Sequence, residues 1–419
     1  MSLALQSESR QLPRSYFVYL VAYTVSMLGT GMQFIANSWL VMQLTNRGGA
    51  VSLVLAAGAI PGILFSTAIG TYVDRYDRKK LAVAADIFRG VVLIGVVYLY
   101  RAGLLTAPQV YLMSFLVAFG DEVYTLAATV LVREIVSKDL LLRANSTISM
   151  MSQGGILVGT ALGGLIVARS SPLTVIVINA ASFFFSSLCI WAIRVDHELQ
   201  PNGIVQAGRR RLSQVLDEIC AAWRYIRSLR DVIFCYAMMT VIRATLFFIN
   251  VLLPPFSKNV LRVGAQGFGY IDAGFAVGAV LGNFALPRAS ARFGHRALLV
   301  AGPLAAAGSL FAFSAAHGLV TAIGAYVFLG IACQAGVLYM TVSQTLVDIQ
   351  YQGRVHATFN VVFAASSLVV YLLAGYSADI VPIRGLYATQ AALLGVSGLF
   401  AAGWLFSRHT LLLRSEEAA

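Results

Sequence analysis

GTYVDRYDRKK, residues Gly70 to Lys80, places six charged side chains within eleven positions between two long apolar stretches. Each of these side chains would cost roughly 2.5–3.5 kcal/mol at the centre of a lipid bilayer. Because the flanking stretches are long enough to cross a bilayer as helices, the charged residues must form a short loop at a membrane face. The stretch therefore predicts an integral membrane protein whose consecutive helices are joined by tight loops.

The overall composition supports this prediction. Apolar residues make up 58% of the 419 residues and charged residues 11%, with a mean hydropathy of +0.78. A soluble chain of this length needs far more charged surface. The four cysteines show no zinc or redox spacing, and no phosphate-binding loop or hydrolase motif is present. We therefore expect no metal, no cofactor and no enzymatic activity.

Apolar stretches of about twenty residues or more recur twelve times, and each is long enough to cross a bilayer core of roughly 30 Å as a helix. The predicted fold is an all-α membrane protein with twelve transmembrane helices. Their predicted spans are 16–45, 50–73, 80–100, 108–132, 145–168, 173–194, 231–256, 266–287, 297–316, 319–347, 356–380 and 385–407.

The positive charges lie mainly on one side of these predicted helices. The termini and the even-to-odd loops hold 22 of the 30 Lys and Arg residues, whereas the opposite loops hold six. By the positive-inside rule, both termini are predicted to be cytoplasmic. Because the net charge of +12 is explained by these loops, we expect the lipid bilayer and no nucleic acid as a partner.

The chain divides into two halves that resemble repeats. A polar stretch with Arg209, Arg210 and Arg211 separates them, so we predict bundles at 1–195 and 231–419 joined by a cytoplasmic linker at 196–230. The segment DRYDRKKLAV from Asp74 can be aligned with ARFGHRALLV from Ala291. Repeated halves around a central pathway are common in secondary transporters.

The opening loop resembles the loop between helices 2 and 3 in the major facilitator superfamily of transporters. Residues that match its motif are Gly70, Asp74, Arg75, Arg78 and Lys79. Asp77 stands where most members have glycine, and in this the loop is similar to the enterobactin and macrolide exporters. The resemblance implies two pseudo-symmetric six-helix bundles and a gate in which Asp74 meets the start of helix 11 near Arg354. The alternative is a plain positively charged anchor.

SQGGILVGTALGG in helix 5 resembles the antiporter motif of exporters in this superfamily. The matching glycines are Gly155, Gly159, Gly163 and Gly164, whereas Thr160 replaces the usual proline and Ser146 the first glycine. Glycines four residues apart let a neighbouring helix approach closely. The resemblance implies that helix 8 is this neighbour and that the stripe has a gating role; ordinary helix packing is the alternative.

Polar residues at membrane depth are candidates for function because their burial is costly. The resemblance implies a cavity lined by helices 1, 4, 7 and 10. Candidates on these helices for contact with the substrate are Gln33, Phe34, Asn37, Tyr124, Asn250 and Gln334.

The candidates for proton coupling are Asp121 and Glu122 in helix 4 and Arg243 in helix 7. Burial favours the neutral form of a carboxylate and a nearby cation favours the charged form, which suits a proton-binding switch. We favour Glu122 as the protonatable group, with Asp121 as the alternative and as the expected partner of Arg243. The alternative is a static ion pair between Arg243 and one carboxylate.

The resemblance implies a monomeric exporter in the bacterial inner membrane that exchanges protons for an amphipathic small molecule such as a drug, macrolide or siderophore. A lipid or metabolite transporter of the same fold is an alternative. A receptor or scaffold that has lost transport is another, although such a protein would not need an acid pair inside the membrane. The sequence does not select a substrate.

Overall fold

The computed structural model describes residues 12–73, 75–137, 140–193 and 229–406, and every regular element in these ranges is helical. The described residues contain twelve long helices. They are α1 (Arg14–Thr45), α2 (Ala50–Val73), α3 (Arg78–Arg101), α4 (Ala107–Ile135), α5 (Leu141–Arg169), α6 (Pro172–Ala192), α7 (Arg230–Pro255), α8 (Gly264–Phe293), α9 (His295–Ser314), α10 (Leu319–Leu346), α11 (Ile349–Ala378) and α12 (Ile383–Phe406).

These helices confirm the predicted all-α membrane architecture and fall close to the twelve predicted spans. Within the described residues, eleven of them are long and apolar enough to cross a membrane, and Ala50–Ser66 in α2 is a shorter apolar segment. Large apolar side chains such as Tyr98, Val320 and Tyr376 are exposed on the helix surfaces. A bilayer removes the cost that such exposure would have in water.

Local sequence signals explain where several helices begin. Asp77 caps α3, since its carboxylate accepts a hydrogen bond from the Lys80 backbone N–H at 3.0 Å. Thr106 and Gln109 form a capping box at the start of α4. The acidic residue at position 77, which departs from the family motif, therefore has a clear structural use.

One helix is interrupted where the sequence predicted a continuous span. Within α10, the two segments Leu319–Cys333 and Ala335–Leu346 meet at Gln334. The backbone N–H of Gln334 turns to the Ile331 carbonyl, and its side-chain Nε2 donates to the Gly330 carbonyl at 3.0 Å. The side chain thus satisfies the acceptor that its own backbone N–H would serve in a regular helix.

The helices divide between two compact units. The first contains α1, the residues of α2 from Ala57 onward, and α3 to α6; the second contains Arg47–Ala56 and α7 to α12. The start of α2 thus belongs to the second unit, although the sequence placed all of α2 in the first bundle. The predicted linker at 196–230 lies outside the described residues except at its last two positions, so the predicted domain boundaries stay a prediction.

In the first unit, α1 packs against α5 and α6, and α3 packs against α4 and α6. The Tyr16 hydroxyl in α1 donates to the Ala144 carbonyl in α5 at 2.9 Å, which satisfies a buried polar group. The surrounding core is built from apolar side chains of α1, α2, α3, α4 and α6, with Ala144 from α5. This packing holds α3, α4 and α6 together at membrane depth.

In the second unit, α8 packs against α10, α9 against α12, and α7 against α11. The Arg384 guanidinium at the start of α12 donates to the carbonyls of Ser314 and Ala316 at 2.5 and 2.7 Å. These carbonyls lie at and just beyond the end of α9, where a helix leaves backbone acceptors unpaired. Arg384 therefore fixes the end of α9 to the start of α12.

Candidate functional site

A buried ionic cluster joins α3 to α4 in the first unit. Arg89 is fully buried, and its Nη1 donates to Asp121 Oδ1 at 2.8 Å while its Nη2 donates to Asp86 Oδ1. Asp86 is also fully buried, whereas the Asp121 side chain is 47% exposed. The cluster thus holds one guanidinium between two carboxylates of very different accessibility.

Aromatic rings complete the surroundings of the guanidinium. The Arg89 Cζ atom lies 4.6 Å from the ring centroid of Tyr124 in α4 and 4.1 Å from that of Phe183 in α6. An arginine can bond carboxylates through its edge and stack on aromatic faces, which suits this position. A Cβ atom at Gly120 would lie 2.7 Å from Arg89 Cγ, so the glycine makes room for the arginine.

Glu122, the predicted proton-binding residue, differs from its neighbour Asp121. Its side chain is half-buried, and within the described residues it has no hydrogen bond or ion pair. Its Oε2 faces α2, where it lies 3.6 Å from the position that a Cβ atom would take on Gly62. Adjacent residues point roughly 100° apart on a helix. Here Asp121 is bound by arginine, whereas Glu122 has no partner in the described ranges.

The predicted partner of Asp121 was Arg243, but the partner that the structure gives it is Arg89. Arg243 is an exposed residue of the second unit, and its Cζ lies 4.8 Å from the ring centroid of Phe363 in α11. One turn further along α7, Phe247 packs edge-on against Tyr371, their centroids 5.4 Å apart. A role for Arg243 in coupling stays a prediction.

The polar residues of α1 have different surroundings. Gln33 is buried and its Oε1 accepts a hydrogen bond from Asn179 Nδ2 in α6, so this side chain helps to join two helices. Asn37, one turn later, is buried, and its Oδ1 has no hydrogen-bond partner in the described part of the chain. Phe34 between them is half-buried. Of the two amides, Asn37 therefore has the side-chain oxygen that no described residue binds, and its contact with a substrate stays a prediction.

The remaining candidates for substrate contact lie on three helices. Tyr124 is buried against Arg89, Asn250 is half-buried in α7, and Gln334 is half-buried at the interruption of α10. Since Tyr124 and Gln334 both make contacts within their own units, substrate contact by either one stays a prediction.

The charged loop after α2 is tied to neighbouring helices by two of its basic residues. Lys79 Nζ donates to the Ile193 carbonyl at the end of α6 at 2.8 Å, and Arg78 Nε lies 3.8 Å from Glu134 Oε1 near the end of α4. Arg75 is exposed and Gly70 is half-buried. The loop thus fastens α3 to the same end of α4 and α6.

The predicted gate is a contact between Asp74 and the start of α11 near Arg354. Asp74 lies outside the described residues, and the side chain of Arg354 is not described either. The contact between Asp74 and the start of α11 therefore stays a prediction.

The glycine stripe of α5 packs against α1. A Cβ atom at Gly155 would lie 2.8 Å from Met27 Cβ, one at Gly163 would lie 2.8 Å from Met32 Cα, and one at Gly159 would overlap the Leu28 carbonyl oxygen. Gly164 is buried in the same stretch. The expectation that α8 is the neighbour of this stripe is therefore wrong: the tight contact lies within the first unit.

The glycines of α8 have their own neighbour. A Cβ atom at Gly282 would lie 2.9 Å from Ile331 Cα, and one at Gly278 would overlap the Val327 carbonyl oxygen, both in α10. Two glycine stripes thus serve two separate helix pairs, and each allows backbones to approach closely.

This geometry changes the expected effect of substitutions in α5. Replacing Gly159 with leucine should destabilise the first unit by about 1–3 kcal/mol or more, because the new side chain has no space beside the α1 backbone. Leucine at Gly154 is the matched control, since a Cβ atom there meets nothing within 4 Å. Thermal unfolding of the two purified variants in detergent measures the difference, and equal melting temperatures would contradict tight α1–α5 packing.

Several residues of the site were missed or undervalued in the sequence. Asp86 and Arg89 are one turn apart in an otherwise apolar stretch, and this spacing was the available signal for a buried pair. Asn179 in α6 had a weaker signal, a single amide in an apolar run. Asp272, a half-buried carboxylate in α8, could have been found by the same search for polar residues at membrane depth.

Comparison with known proteins places these observations in a family. A sequence model of the Major Facilitator Superfamily matches residues 19–369. The multidrug efflux pump Tap of Mycobacterium tuberculosis (strain ATCC 25618 / H37Rv) is 29% identical over 201 residues, which cover 45% of this chain and 48% of that protein. The chain therefore spans about half the length of this relative.

Two further matches extend over nearly the whole chain. Tap of Mycolicibacterium fortuitum is 25% identical over 399 residues, covering 91% of this chain and 94% of that protein. The crystal structure of the nucleoside transporter NupG superposes with a TM-score of 0.72 at 12% identity, covering 94% of this chain and 100% of that one. This structural similarity supports the fold.

Proposed function

We propose, from the premise that this chain belongs to the Major Facilitator Superfamily, that it exports amphipathic small molecules in exchange for protons. As a member of this family it is a multi-pass membrane transporter and not an enzyme. The observation that carries the proton-coupling part is Glu122, a half-buried carboxylate in α4 without a partner among the described residues.

The direction and the substrate class are proposed from the relatives. Proteins named multidrug efflux pump and putative bacilysin exporter are among those to which the chain is similar. Exporters of amphipathic compounds need apolar and aromatic surface together with a few polar groups that orient the substrate. Phe34 and the free amide oxygen of Asn37 offer both kinds of contact on α1, with Asn250 and Gln334 as further candidates.

Proton coupling is assigned to Glu122 because its neighbour is already engaged. Asp121 is bound to Arg89 at 2.8 Å, so a proton or a cationic substrate that approaches it must compete with a guanidinium. Glu122 meets no such competition from the described residues. A carboxylate that is half-buried and unpaired can take up a proton from one side of the membrane and release it to the other during alternating access.

The proposed setting is the inner membrane of a bacterium, with both termini in the cytoplasm and the transporter acting as a monomer. The charge distribution supports this orientation. The termini and the even-to-odd loops hold 22 of the 30 Lys and Arg residues, and positively charged loops of membrane proteins usually face the cytoplasm.

Flux measurements in proteoliposomes test the proposal. With an acidic lumen imposed by dilution, molecules of the appropriate orientation should accumulate a fluorescent amphipathic dye such as ethidium in the lumen. A protonophore should abolish the accumulation, and protein-free liposomes should show none. Dye fluxes that are equal with and without the proton gradient would contradict proton-coupled export.

We propose that a contact within the second unit, between the start of α2 and the end of α11, forms a gate of the transporter. The first turn of α2 lies against α11, and the Gly49 backbone N–H donates to Asp379 Oδ1 at 3.1 Å. A Cβ atom at Gly49 would lie 2.5 Å from the Gly375 carbonyl oxygen, and one at Gly375 would overlap the Ser52 hydroxyl. We call this contact of Gly49 and Ser52 with Gly375 and Asp379 the α2–α11 clasp.

Alternating access has to open the clasp or bend α2. The residues before Ala57 belong to the second unit and those from Ala57 onward to the first. Pro61 lies inside α2, and a proline leaves the carbonyl four residues earlier, here that of Ala57, without its helical hydrogen bond. The point where α2 passes from one unit to the other is therefore also a point where one helical hydrogen bond is missing.

Replacing Asp379 with asparagine should weaken the clasp, because a neutral amide interacts less well with the positive end of α2. A loss of about 1 kcal/mol corresponds to a roughly fivefold larger population of the open form. Spin labels at Leu53 and Tyr376, both exposed, would report the open population as longer distances in a cysteine-free background. Ser377→Ala is the control, since its hydroxyl bonds only within α11 among the contacts described. Identical distance distributions would argue against a gating role.

A further inference from the structure

The ionic cluster of the first unit contains more unpaired polar atoms than a static ion pair would leave. Four buried atoms in this cluster make no hydrogen bond of normal geometry among the described residues: Asp86 Oδ2, Arg89 Nε, Tyr124 Oη and Ser186 Oγ. The Ser186 hydroxyl nevertheless faces both Asp86 and Tyr124. Asp86, Arg89 and Ser186 are fully buried, and Tyr124 is 1% exposed. Buried polar groups are normally paired, so a concentration of exceptions at one place requires an explanation.

The charges of the cluster do not balance when every group has its usual charge. Arg89 contributes one positive charge, whereas Asp86 and Asp121 contribute two negative charges. Asp121 is about half exposed and can keep its charge. Asp86 is enclosed, so the excess negative charge would sit where no water or lipid headgroup solvates it.

The groups that face Asp86 come from α1, α3, α4 and α6. On α3 the neighbour is Arg89, and on α4 the neighbours are Asp121 and Tyr124. From α1, the Tyr19 side chain lies close to Asp86. From α6, the Ser186 hydroxyl faces Asp86, and a serine hydroxyl carries no charge near neutral pH. Arg89 is therefore the one cation that faces Asp86 among the described residues, and it is shared with Asp121.

We propose that Asp86 is a second proton-binding carboxylate, neutral when Arg89 is paired with Asp121. The proton resides on Asp86 Oδ2, while Oδ1 still accepts the hydrogen bond from Arg89 Nη2. An O–H group on Oδ2 gives the Ser186 hydroxyl, which faces Asp86, a donor. The cluster of Asp86, Arg89 and Asp121 then has no net charge and holds one exchangeable proton.

The transport consequence of this assignment rests on the proposed function. If Asp86 loses its proton, Arg89 must neutralise two carboxylates unless Asp121 takes the proton up. Asp121 is adjacent to Glu122 in α4, so a change of charge on Asp121 is felt by the proposed coupling residue. Asp86 thereby links the interior of the first unit to proton exchange at Glu122.

Infrared spectroscopy of the purified protein tests the proton directly. At neutral pH, the difference between wild type and Asp86→Asn should contain the C=O band of a protonated carboxyl group, which Glu122→Gln should retain. Asp121→Asn should remove the band too, because Asp86 then becomes the sole carboxylate partner of Arg89 and ionises. Absence of any protonated-carboxyl band that depends on Asp86 would overturn the proposal.

A further variant distinguishes Asp86 from Asp121 as the carrier. Ser186→Ala should shift the frequency of the band, because it removes the hydroxyl beside Asp86. It should leave the band unchanged if the proton resides on Asp121, and that outcome would also overturn the proposal. Rapid hydrogen–deuterium exchange of the band would also indicate that Asp121 carries the proton, since Asp121 is the accessible carboxylate.

Transport assays separate this inference from the function on which its consequence rests. Asp86→Asn is permanently neutral, so it should bind dye like wild type but lose proton-driven accumulation. If Glu122→Gln retains uphill export while the infrared band still depends on Asp86, the proposed coupling residue is wrong and the proton on Asp86 stands. If the band is absent while Glu122→Gln abolishes export, Glu122 keeps its proposed coupling role and the proton on Asp86 is ruled out.

Discussion

Glutamine at position 122 is expected to abolish proton-driven accumulation of an amphipathic dye while leaving dye binding intact. The substitution keeps the size and most of the polarity of the side chain but removes the proton-binding group. Glu122 is half-buried and makes no ion pair with the described residues. Its loss should therefore affect coupling more than stability.

The measurement compares uphill and downhill dye fluxes in the same proteoliposome preparation. Glu122→Gln should retain downhill flux or binding and lose accumulation against a gradient, whereas Glu122→Asp should recover part of the accumulation because it keeps a carboxylate. Gly62→Ala is a useful neighbour control, since its Cβ atom would stand 3.6 Å from Glu122 Oε2, an ordinary contact distance.

The result also tests the choice between two adjacent acids. Full accumulation by Glu122→Gln, together with loss in Asp121→Asn, would move coupling to the arginine-bound carboxylate. Full accumulation by both variants would place coupling outside α4. Either outcome would be informative, because the two carboxylates differ so clearly in their partners.

The fold could be predicted from the sequence because its determinants are local. Hydrocarbon thickness sets the length of each apolar stretch, and charge excludes GTYVDRYDRKK from the bilayer. The interruption at Gln334 could not be predicted in this way. It depends on a side-chain amide that replaces one backbone hydrogen bond, and glutamine is compatible with a continuous helix in most settings.

The candidate site could be predicted only in part, since residue type is local but partnership is not. The acid pair in α4 was visible as charge at membrane depth. That Asp121 is bound by Arg89, and Gln33 by Asn179, follows from the packing of α3 and α6 against their neighbours. A single sequence contains no direct record of these distances between helices.

The same limit explains the error about the glycine stripe. The spacing of Gly155, Gly159 and Gly163 correctly indicated a close backbone contact, and any helix that passes nearby could supply it. The resemblance to exporters implied α8, whereas the structure places the α1 backbone against the stripe. Periodicity defines a face of a helix but not what covers that face.

Replacing Arg89 with methionine is expected to produce the largest loss of stability among the substitutions considered. Methionine approximates the length and volume of the arginine stem, so the loss reflects charge and hydrogen bonding more than packing. Removing one partner of a buried ionic cluster typically costs about 3–5 kcal/mol. Asp121 would then lose the guanidinium that pairs with its charge, Asp86 Oδ1 would lose the donor that Arg89 Nη2 supplies, and the faces of Tyr124 and Phe183 would lose their cation.

Thermal or denaturant unfolding of the purified protein in detergent measures this loss. Arg243→Met is the matched control, because Arg243 is exposed and its described contact is the Phe363 ring at 4.8 Å. A cation over an aromatic ring at an exposed site contributes about 0.5–1 kcal/mol, so the control should lose far less. A melting temperature like that of wild type for Arg89→Met would remove the cluster from any structural role.

Compensating substitutions separate the two carboxylates in this experiment. If Asp86 is already neutral, Arg89→Met combined with Asp121→Asn should recover the part of the lost stability that comes from the unpaired Asp121 charge, and adding Asp86→Asn should recover little more. If Asp86 is ionised, only the triple variant should recover, because a buried negative charge would persist in the double variant. Unfolding of these variants thus reports which carboxylate Arg89 must neutralise, by a measurement that does not depend on transport.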